Sequence, residues 1–528
     1  MERILWADDE IDLLKPHILF LKQKGYDVAT VSNGRDALDA LENEQFSLIL
    51  LDENMPGLSG LETLTLIHQS HPQIPVIMIT KSEEENIMNQ AIGNKIADYL
   101  IKPVNPNQIL LSIKKNLHGG EIVAKTVSSD YQQEFQKISM QINMAQSIDD
   151  WYEVYRSLVF WELKLAQTDT NMDELLSLQK RDANVGFCKF VKREYEDWVT
   201  TESHPLMSHE IFKRRVFPEL DKGEKVFVIL IDNFRYDQWK VIQPIVSEFF
   251  NINEELYTTI LPTSTQYARN SIFAGLMPLD IAKMFPDLWV EEDEDEGKNI
   301  YEEELIRSQL NRFRRKEKFS YHKINDSAGV DKLLVKLKQI DNNELNVVVL
   351  NFIDMLSHAR TESKMIRELA NSDAAYRSLT ESWFRHSSAH DLFRCLSEKK
   401  YKVIVTTDHG TIRVDNPIKV VGDKNTNTNL RYKVGKSLNY NRKEVYEMTN
   451  PKRFGLPAPN LSSTFIYAMN EDFFSYPNNY NYYVGYYTGT FQHGGISLQE
   501  MIVPLVTLNP KYPTLLKIFQ LATNGRLF

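Results

Sequence analysis

The sequence predicts an α/β protein of 528 residues in three parts. Three observations predict it. Short β-branched apolar runs stop abruptly at aspartates, as in Lys402-Val403-Ile404-Val405-Thr406-Thr407-Asp408, the pattern of buried parallel strands. In the first 118 residues such runs alternate with helical patterns, which gives a doubly wound parallel sheet. Residues 119–205 carry apolar residues at helical spacing and no strand signal. The expected parts are therefore residues 1–118, 119–205 and 206–528.

Composition is that of a globular chain, with 42% hydrophobic and 25% charged residues. The net charge of −11 argues against coating nucleic acid or an anionic membrane. The two cysteines, Cys188 and Cys395, fall in no metal-ligand spacing. They suit buried thiols in a reducing compartment. No signal-peptide core follows Met1, and no apolar run is long enough to span a bilayer. A cytoplasmic protein without membrane insertion is expected.

In the first part, Ile4–Ala7 runs into Asp8-Asp9, Ser47–Leu51 into Asp52, Val76–Ile79 into Thr80, and Asp98–Ile101 into Lys102-Pro103. Helical patterns, such as 11–24 and 35–43, lie between them. Asp8, Asp9 and Asp52 would share one sheet-edge pocket, and like charges that close need a cation. Mg²⁺ fits, because it takes a few carboxylates and keeps waters. A phosphoryl group on Asp52 would meet Mg²⁺, the Lys102 ammonium and the Thr80 hydroxyl.

The middle part opens with His118-Gly119-Gly120, which is expected to break the preceding helix. Trp151, Tyr155 and Leu158 then form one apolar stripe, and Phe187, Val191, Tyr195 and Trp198 another. A helical bundle between input and output follows.

The third part repeats the strand-end aspartates. Val226–Ile231 stops at Asp232, Asn346–Ile353 at Asp354, and Lys402–Thr407 at Asp408-His409-Gly410. His358 lies four residues past Asp354, and His493 sits in Gln492-His493-Gly494-Gly495. Three carboxylates with three histidines point to a zinc-type site. Between the first two strands lies Pro262-Thr263-Ser264-Thr265, followed by an apolar helix ending at Gly275. These hydroxyls suit either helix capping or anion binding at a helix N-terminus. A threonine becomes a nucleophile only where a base or metal lowers its pKa. Arg269 or Asn270, one turn into that helix, would hold non-bridging phosphoryl oxygens, with Arg235 and Arg360 as rivals. The acidic run Glu291–Glu296 is read as a solvated loop. Tyr476 to Tyr487 is read as a hairpin, with base stacking as the alternative.

Asp8-Asp9, Asp52 in Leu51-Asp52-Glu53-Asn54-Met55-Pro56-Gly57, Thr80, Tyr99 and Lys102-Pro103 resemble the flavodoxin-like receiver domain of response regulators. The resemblance implies that a sensor histidine kinase phosphorylates Asp52. It also implies that Asp9, Asp52 and the Asn54 carbonyl hold Mg²⁺, and that Tyr99 swings inward with Thr80. Self-association is the common receiver output, so a phosphorylation-promoted symmetric homodimer is expected.

The motifs of the third part resemble the PglZ branch of the alkaline phosphatase superfamily. With its glycine aligned to Gly275, the resemblance makes Thr265 the nucleophile. It assigns Asp232, Thr265, Asp408 and His409 to one zinc, and Asp354, His358 and His493 to the other. Two such ions, about 4 Å apart, clamp the attacking and leaving oxygens of an in-line displacement. The three-part order resembles the PorX-type response regulators of type IX secretion. That implies an extracytoplasmic-function sigma factor and a component of the secretion machine as partners. It also implies cyclic and linear oligonucleotides as substrates of a phosphodiesterase. The rival expectation is a non-catalytic regulator with structural zinc, acting by protein or promoter binding. Asp and His ligands beside a hydroxyl, with no Cys ligand, suit the open, catalytic type of zinc site better.

Overall fold

The computed structural model describes residues 2–81, 96–168, 172–290, 299–362, 368–422, 426–458, 460 and 462–511, with side chains of 359–362 excepted. The chain divides into two compact units, residues 1–130 with 167–170, and 131–166 with 171–528.

The first unit holds a five-stranded sheet of β1 (Arg3–Ala7), β2 (Asp27–Val31), β3 (Leu48–Asp52), β4 (Val76–Thr80) and β5 (Asp98–Ile101). Their order is β2-β1-β3-β4-β5, and every pairing is parallel. β3 and β4 are buried throughout, so their apolar runs are continuous rather than alternating. One face packs Leu5, Ile49, Leu51 and Met78 under the helices Gly34–Asn43 and Gly60–Ser70. Asn33 caps the first helix, and a Ser59–Glu62 capping box starts the second. The strand order reverses between β1 and β3, which brings Asp8 and Asp52 to one crevice.

The expected helix break at His118-Gly119-Gly120 does not occur. One helix of 39 residues runs Pro106–Met144, and the division between units falls inside it. Neither glycine meets a neighbour that would force a turn. A helical glycine costs only about 1 kcal/mol against alanine, which its flanking helix formers offset.

In the second unit, helices Ile148–Ala166 and Asp173–Thr200 bury both expected aromatic stripes, with Trp151 and Phe187 in edge contact at 5.6 Å. These helices lie in the same compact unit as the third part. A buried charge cluster joins them. Arg377 reaches Glu162 at 2.6 Å and Asp237 at 3.0 Å, Arg235 reaches Asp237 and Asp373 at 2.6 Å each, and Lys180 reaches Glu162 at 3.0 Å.

The main sheet of this unit contains β6 (Val226–Ile231), β7 (Phe250–Thr258), β8 (Phe319–Ile324), β9 (Leu345–Leu350), β10 (Lys402–Thr406) and β11 (Ile502–Pro510). Its order is β7-β11-β10-β6-β9-β8. β10, β6, β9 and β8 are parallel, and β11 runs antiparallel to both neighbours. The three ligand-bearing strands β10, β6 and β9 are therefore adjacent at the centre of the sheet. β9 ends at Leu350, earlier than expected. Asp354 instead lies in the first turn of helix Phe352–Glu362, with His358 one turn on.

The Tyr476–Tyr487 stretch is not a hairpin. The preceding strand, Asp472–Ser475, pairs in parallel with Asn416–Lys419, and a helix follows at Tyr480–Tyr487. The acidic run 291–296 lies outside the described residues. Among the described residues, no helix is long and apolar enough to cross a membrane.

Candidate active site

The sheet edge brings the expected ligands together in two groups. Asp232, Asp408 and His409 offer ligand atoms within 4.8 Å of one another, as do Asp354, His358 and His493. The groups adjoin, because the His409 and His493 rings stack with centroids 4.2 Å apart. The first group is fully buried, whereas the His358 side chain is 66% exposed. The site thus has a closed half and an open half.

His409 and His493 are both oriented by backbone. His409 Nδ1 lies 3.1 Å from the Gly410 carbonyl, and His493 Nδ1 lies 3.1 Å from the Thr263 carbonyl. A carbonyl only accepts, so Nδ1 carries the proton in each ring and Nε2 keeps its lone pair for a ligand. Burial lowers the pKa of both rings, that of His493 to about 3. They are neutral, as metal ligation requires.

The carboxylates carry the opposite strain. Burial pushes Asp232 up to about 8; Arg269 opposes the rise, while Asp408 and Asp354 add to it. Asp408 Oδ2 is buried without a hydrogen-bond partner. An orphaned carboxylate oxygen between a second carboxylate and a neutral imidazole fits a divalent cation, and a mixed Asp/His donor set fits zinc.

Thr265 points at this buried group. Its Oγ1 lies 3.2 Å from His409 Nε2 and 3.5 Å from Asp232 Oδ1. From Leu261 to Ala274 every side chain is buried except that of Thr265, which opens the helix Thr265–Ala274. Ser264 takes the N-cap position but makes no capping bond. Thr263 is not a cap either. Its hydroxyl donates to the Gly495 carbonyl at 2.8 Å and accepts from the Gly494 N–H at 3.0 Å. It locks the His493-Gly494-Gly495 loop, where Gly494 has φ +123° and a Cβ would lie 2.6 Å from Tyr432. Gly410 is equally constrained, since a Cβ there would meet the Gln499 carbonyl.

Among the described residues, the arginines expected to bind phosphate are engaged by carboxylates. Arg269 Nη1 pairs with Asp232 at 2.7 Å and Nε with Glu302 at 2.6 Å, in full burial. Its charge holds Asp232 in place rather than facing a substrate. Arg235 is taken up by Asp237 and Asp373. The side chain of Arg360 lies outside the described residues. Asn270 is 3% exposed, and its Oδ1 accepts from Asn299 at 3.4 Å.

Two residues join the site that the motifs did not single out. Asn233 has φ +59°, tolerable for Asn, and its backbone N–H donates to Asp408 Oδ1 at 3.3 Å. Its side-chain amide donates to Asp354 Oδ1 at 3.3 Å, so it bridges the two groups. Its position directly after a strand-end aspartate was the available signal. Glu302 had no local signal, being 33 residues from Arg269.

The first unit builds the other expected pocket. Asp8, Asp9 and Asp52 bring ligand oxygens within 4.8 Å. Lys102 Nζ donates to Asp8 at 2.7 Å and to Asp52 at 2.9 Å. Asp52 Oδ1 is buried without a hydrogen-bond partner, and burial raises the Asp52 pKa against the pull of Lys102. That carboxylate set fits Mg²⁺. Thr80 is buried at the end of β4, and its side chain engages the Tyr99 hydroxyl. Asn54 is exposed at the crevice.

Known families cover both pockets and the helices. Residues 4–114 match the response regulator receiver domain, 121–199 the PorX response regulator linker domain, and 211–508 the BREX system PglZ alkaline phosphatase-like domain. The chain belongs to the PorX-type response regulators with a PglZ domain. Relatives of this PorX-type chain include the alkaline phosphatase synthesis transcriptional regulatory protein PhoP of Bacillus subtilis. It is 31% identical over 35% of this chain and 74% of its own length. The transcriptional regulatory protein CpxR homolog of Haemophilus influenzae is 31% identical over 31% of this chain and 71% of its own. A CheY-like receiver structure from Methanospirillum hungatei is 32% identical over 22% of this chain and 94% of its own, with a TM-score of 0.22. The PorX-type chain is thus a two-component regulator, with a sensor kinase as partner and a phosphoesterase-type, hydrolase-like output domain.

Proposed function

We propose that the PglZ domain is a two-zinc phosphodiesterase that cleaves cyclic and linear oligonucleotides, with Thr265 as nucleophile. The observation that carries this reading is the placement of Thr265. It is the one partly exposed side chain of its buried stretch, and its hydroxyl faces Asp232 and His409 of the buried group. Asp232, Asp408 and His409 would hold one zinc, and Asp354, His358 and His493 the other. Bound zinc would supply charge for the threonine alkoxide and the leaving oxygen.

The protein's own groups do the rest. Arg269 and Asn233 fix the carboxylates, and the Thr263 hydroxyl and carbonyl fix the His493 loop. Thr265 Oγ1 gives up its proton to solvent and attacks phosphorus. The ester oxygen on the far side leaves with the bonding pair and is protonated as an alcohol. Water then attacks the phospho-threonine, releases the phosphate product and returns the hydroxyl proton to Thr265. The exposed His358 edge leaves room for a substrate, as a catalytic zinc site requires and a closed structural one does not.

In the same reading, the kinase phosphorylates Asp52, Mg²⁺ binds at Asp8, Asp9, Asp52 and the Asn54 carbonyl, and phosphorylation promotes a homodimer. The sigma factor and type IX secretion component implied by the family complete the proposed partners. The test is elemental analysis with turnover of a chromogenic phosphodiester. The reading expects about two zinc ions per chain and turnover that chelation removes and zinc restores. Zinc-loaded protein that hydrolyses no phosphodiester would leave the structural-zinc regulator in its place.

A further inference from the structure

Building on that phosphodiesterase reading, we propose that helix Tyr480–Tyr487 is a stacking platform for the bases of a single-stranded oligonucleotide entering the site. The helix reads Tyr-Asn-Tyr-Tyr-Val-Gly-Tyr-Tyr, and none of its residues is buried. Tyr482 is 66% exposed and Tyr483 39%. Their rings form two near-parallel columns at i,i+4 spacing. Tyr482 and Tyr486 lie 6.1 Å apart at 17°, and Tyr483 and Tyr487 lie 6.3 Å apart at 13°. So many aromatic faces on the outside of an eight-residue helix contribute little to a core.

The helix is fastened to the site. Tyr487 packs on Ile412, Val414 and Phe473, and Gly489 N–H donates to the Val414 carbonyl at 2.7 Å. A short antiparallel ribbon of Ile412–Arg413 with Phe491–Gln492 continues from there. One of its strands leads directly into His493, and the other comes from His409-Gly410-Thr411. At about 3.3 Å per residue, Tyr487 lies no more than ~20 Å of chain from His493.

The chemistry selects the occupant. Every nucleobase has a flat face that stacks on an aromatic ring, so such a platform is sequence-tolerant. Cations for the phosphates stand beside the rings. Lys419 Nζ lies 4.7 Å from the Tyr480 centroid, and the Arg413 side chain is 42% exposed on the ribbon. A groove for an apolar protein helix would offer aliphatic side chains, and here Val484 is the only one in the helix.

The test uses the full-length Thr265→Val protein and the fluorescence anisotropy of a labelled 12-nucleotide single strand. Tyr482→Ala with Tyr486→Ala should raise Kd at least about tenfold, as loss of base stacking does. Tyr482→Phe with Tyr486→Phe keeps the ring faces and should retain the affinity. In the background with Thr265 intact, the alanine pair should leave turnover of a small chromogenic phosphodiester unchanged. An unaltered Kd in the alanine pair overturns the platform, and so does equal loss in the phenylalanine pair. Because binding is read without turnover, absence of all phosphodiesterase activity would sink the enzyme reading while the Kd comparison still decides the platform.

Discussion

Thr263→Val removes a hydroxyl and keeps the side-chain shape. In the structure that hydroxyl is fully buried and satisfies two backbone groups, the Gly494 N–H and the Gly495 carbonyl. Water does not reach the position, so both groups lose their partner at once. Each buried unsatisfied polar group costs about 1–3 kcal/mol, and partial relaxation of the loop brings the expected total to about 2–4 kcal/mol. A simple helix cap would cost only about 1 kcal/mol. Urea unfolding of the full chain measures the difference. Thr263→Ser, which keeps the hydroxyl, is the control and should stay near wild type. The loop also carries His493, so Thr263→Val should weaken zinc retention on the open side of the site. Equal stability of Thr263→Val and wild type would refute the loop-lock account.

Further expectations follow from the buried charges. Arg269→Met should destabilise by about 3–5 kcal/mol, because Asp232 loses its arginine in full burial and Glu302 keeps only Lys323 and Tyr321; chemical denaturation reads it. Burial pushes the Asp373 pKa up, but Arg235 and Lys180 outweigh it and hold the carboxylate well below its usual range. Its stabilising contribution is therefore present above about pH 4, the unfolded value, and is lost as pH falls further. Asp373→Asn should flatten the stability curve on the acid side, and an unchanged acid slope would contradict the pairing. Acyl-phosphate donors should label wild type and not Asp52→Asn, since Asp52 alone combines the Lys102 contact with an orphaned oxygen in the carboxylate pocket; mass spectrometry of the labelled chain checks it.

The strand-end aspartates were legible because their signal is local. An apolar run followed by Asp needs only a window of about seven residues, and parallel burial explains the run. Thr265 was singled out only through the family resemblance, with its glycine aligned to Gly275. What it did not carry depends on distant partners. Arg269 looked like a phosphate ligand until Glu302 and Asp232 took its charge. Thr263 looked like a cap until the fold brought Gly494 and Gly495 to it. Asp354 sits in a helix because β9 stops at Leu350, and an apolar Phe352-Ile353 pair suits either element. The tyrosine stretch became a helix because its preceding strand found a parallel partner and needed no returning one. The helix through Gly119 and Gly120 persists because nothing crowds either residue.

The central claim is that Thr265 is the nucleophile of a zinc-dependent phosphodiesterase. The most direct measurement compares turnover of a chromogenic phosphodiester by wild type and Thr265→Val at matched zinc content. Valine keeps the shape and leaves Asp232, Asp408 and His409 in place. The account predicts unchanged folding and unchanged Asp52 phosphorylation, with kcat lower by several orders of magnitude, as loss of a covalent nucleophile commonly costs. Wild-type turnover by Thr265→Val would contradict it.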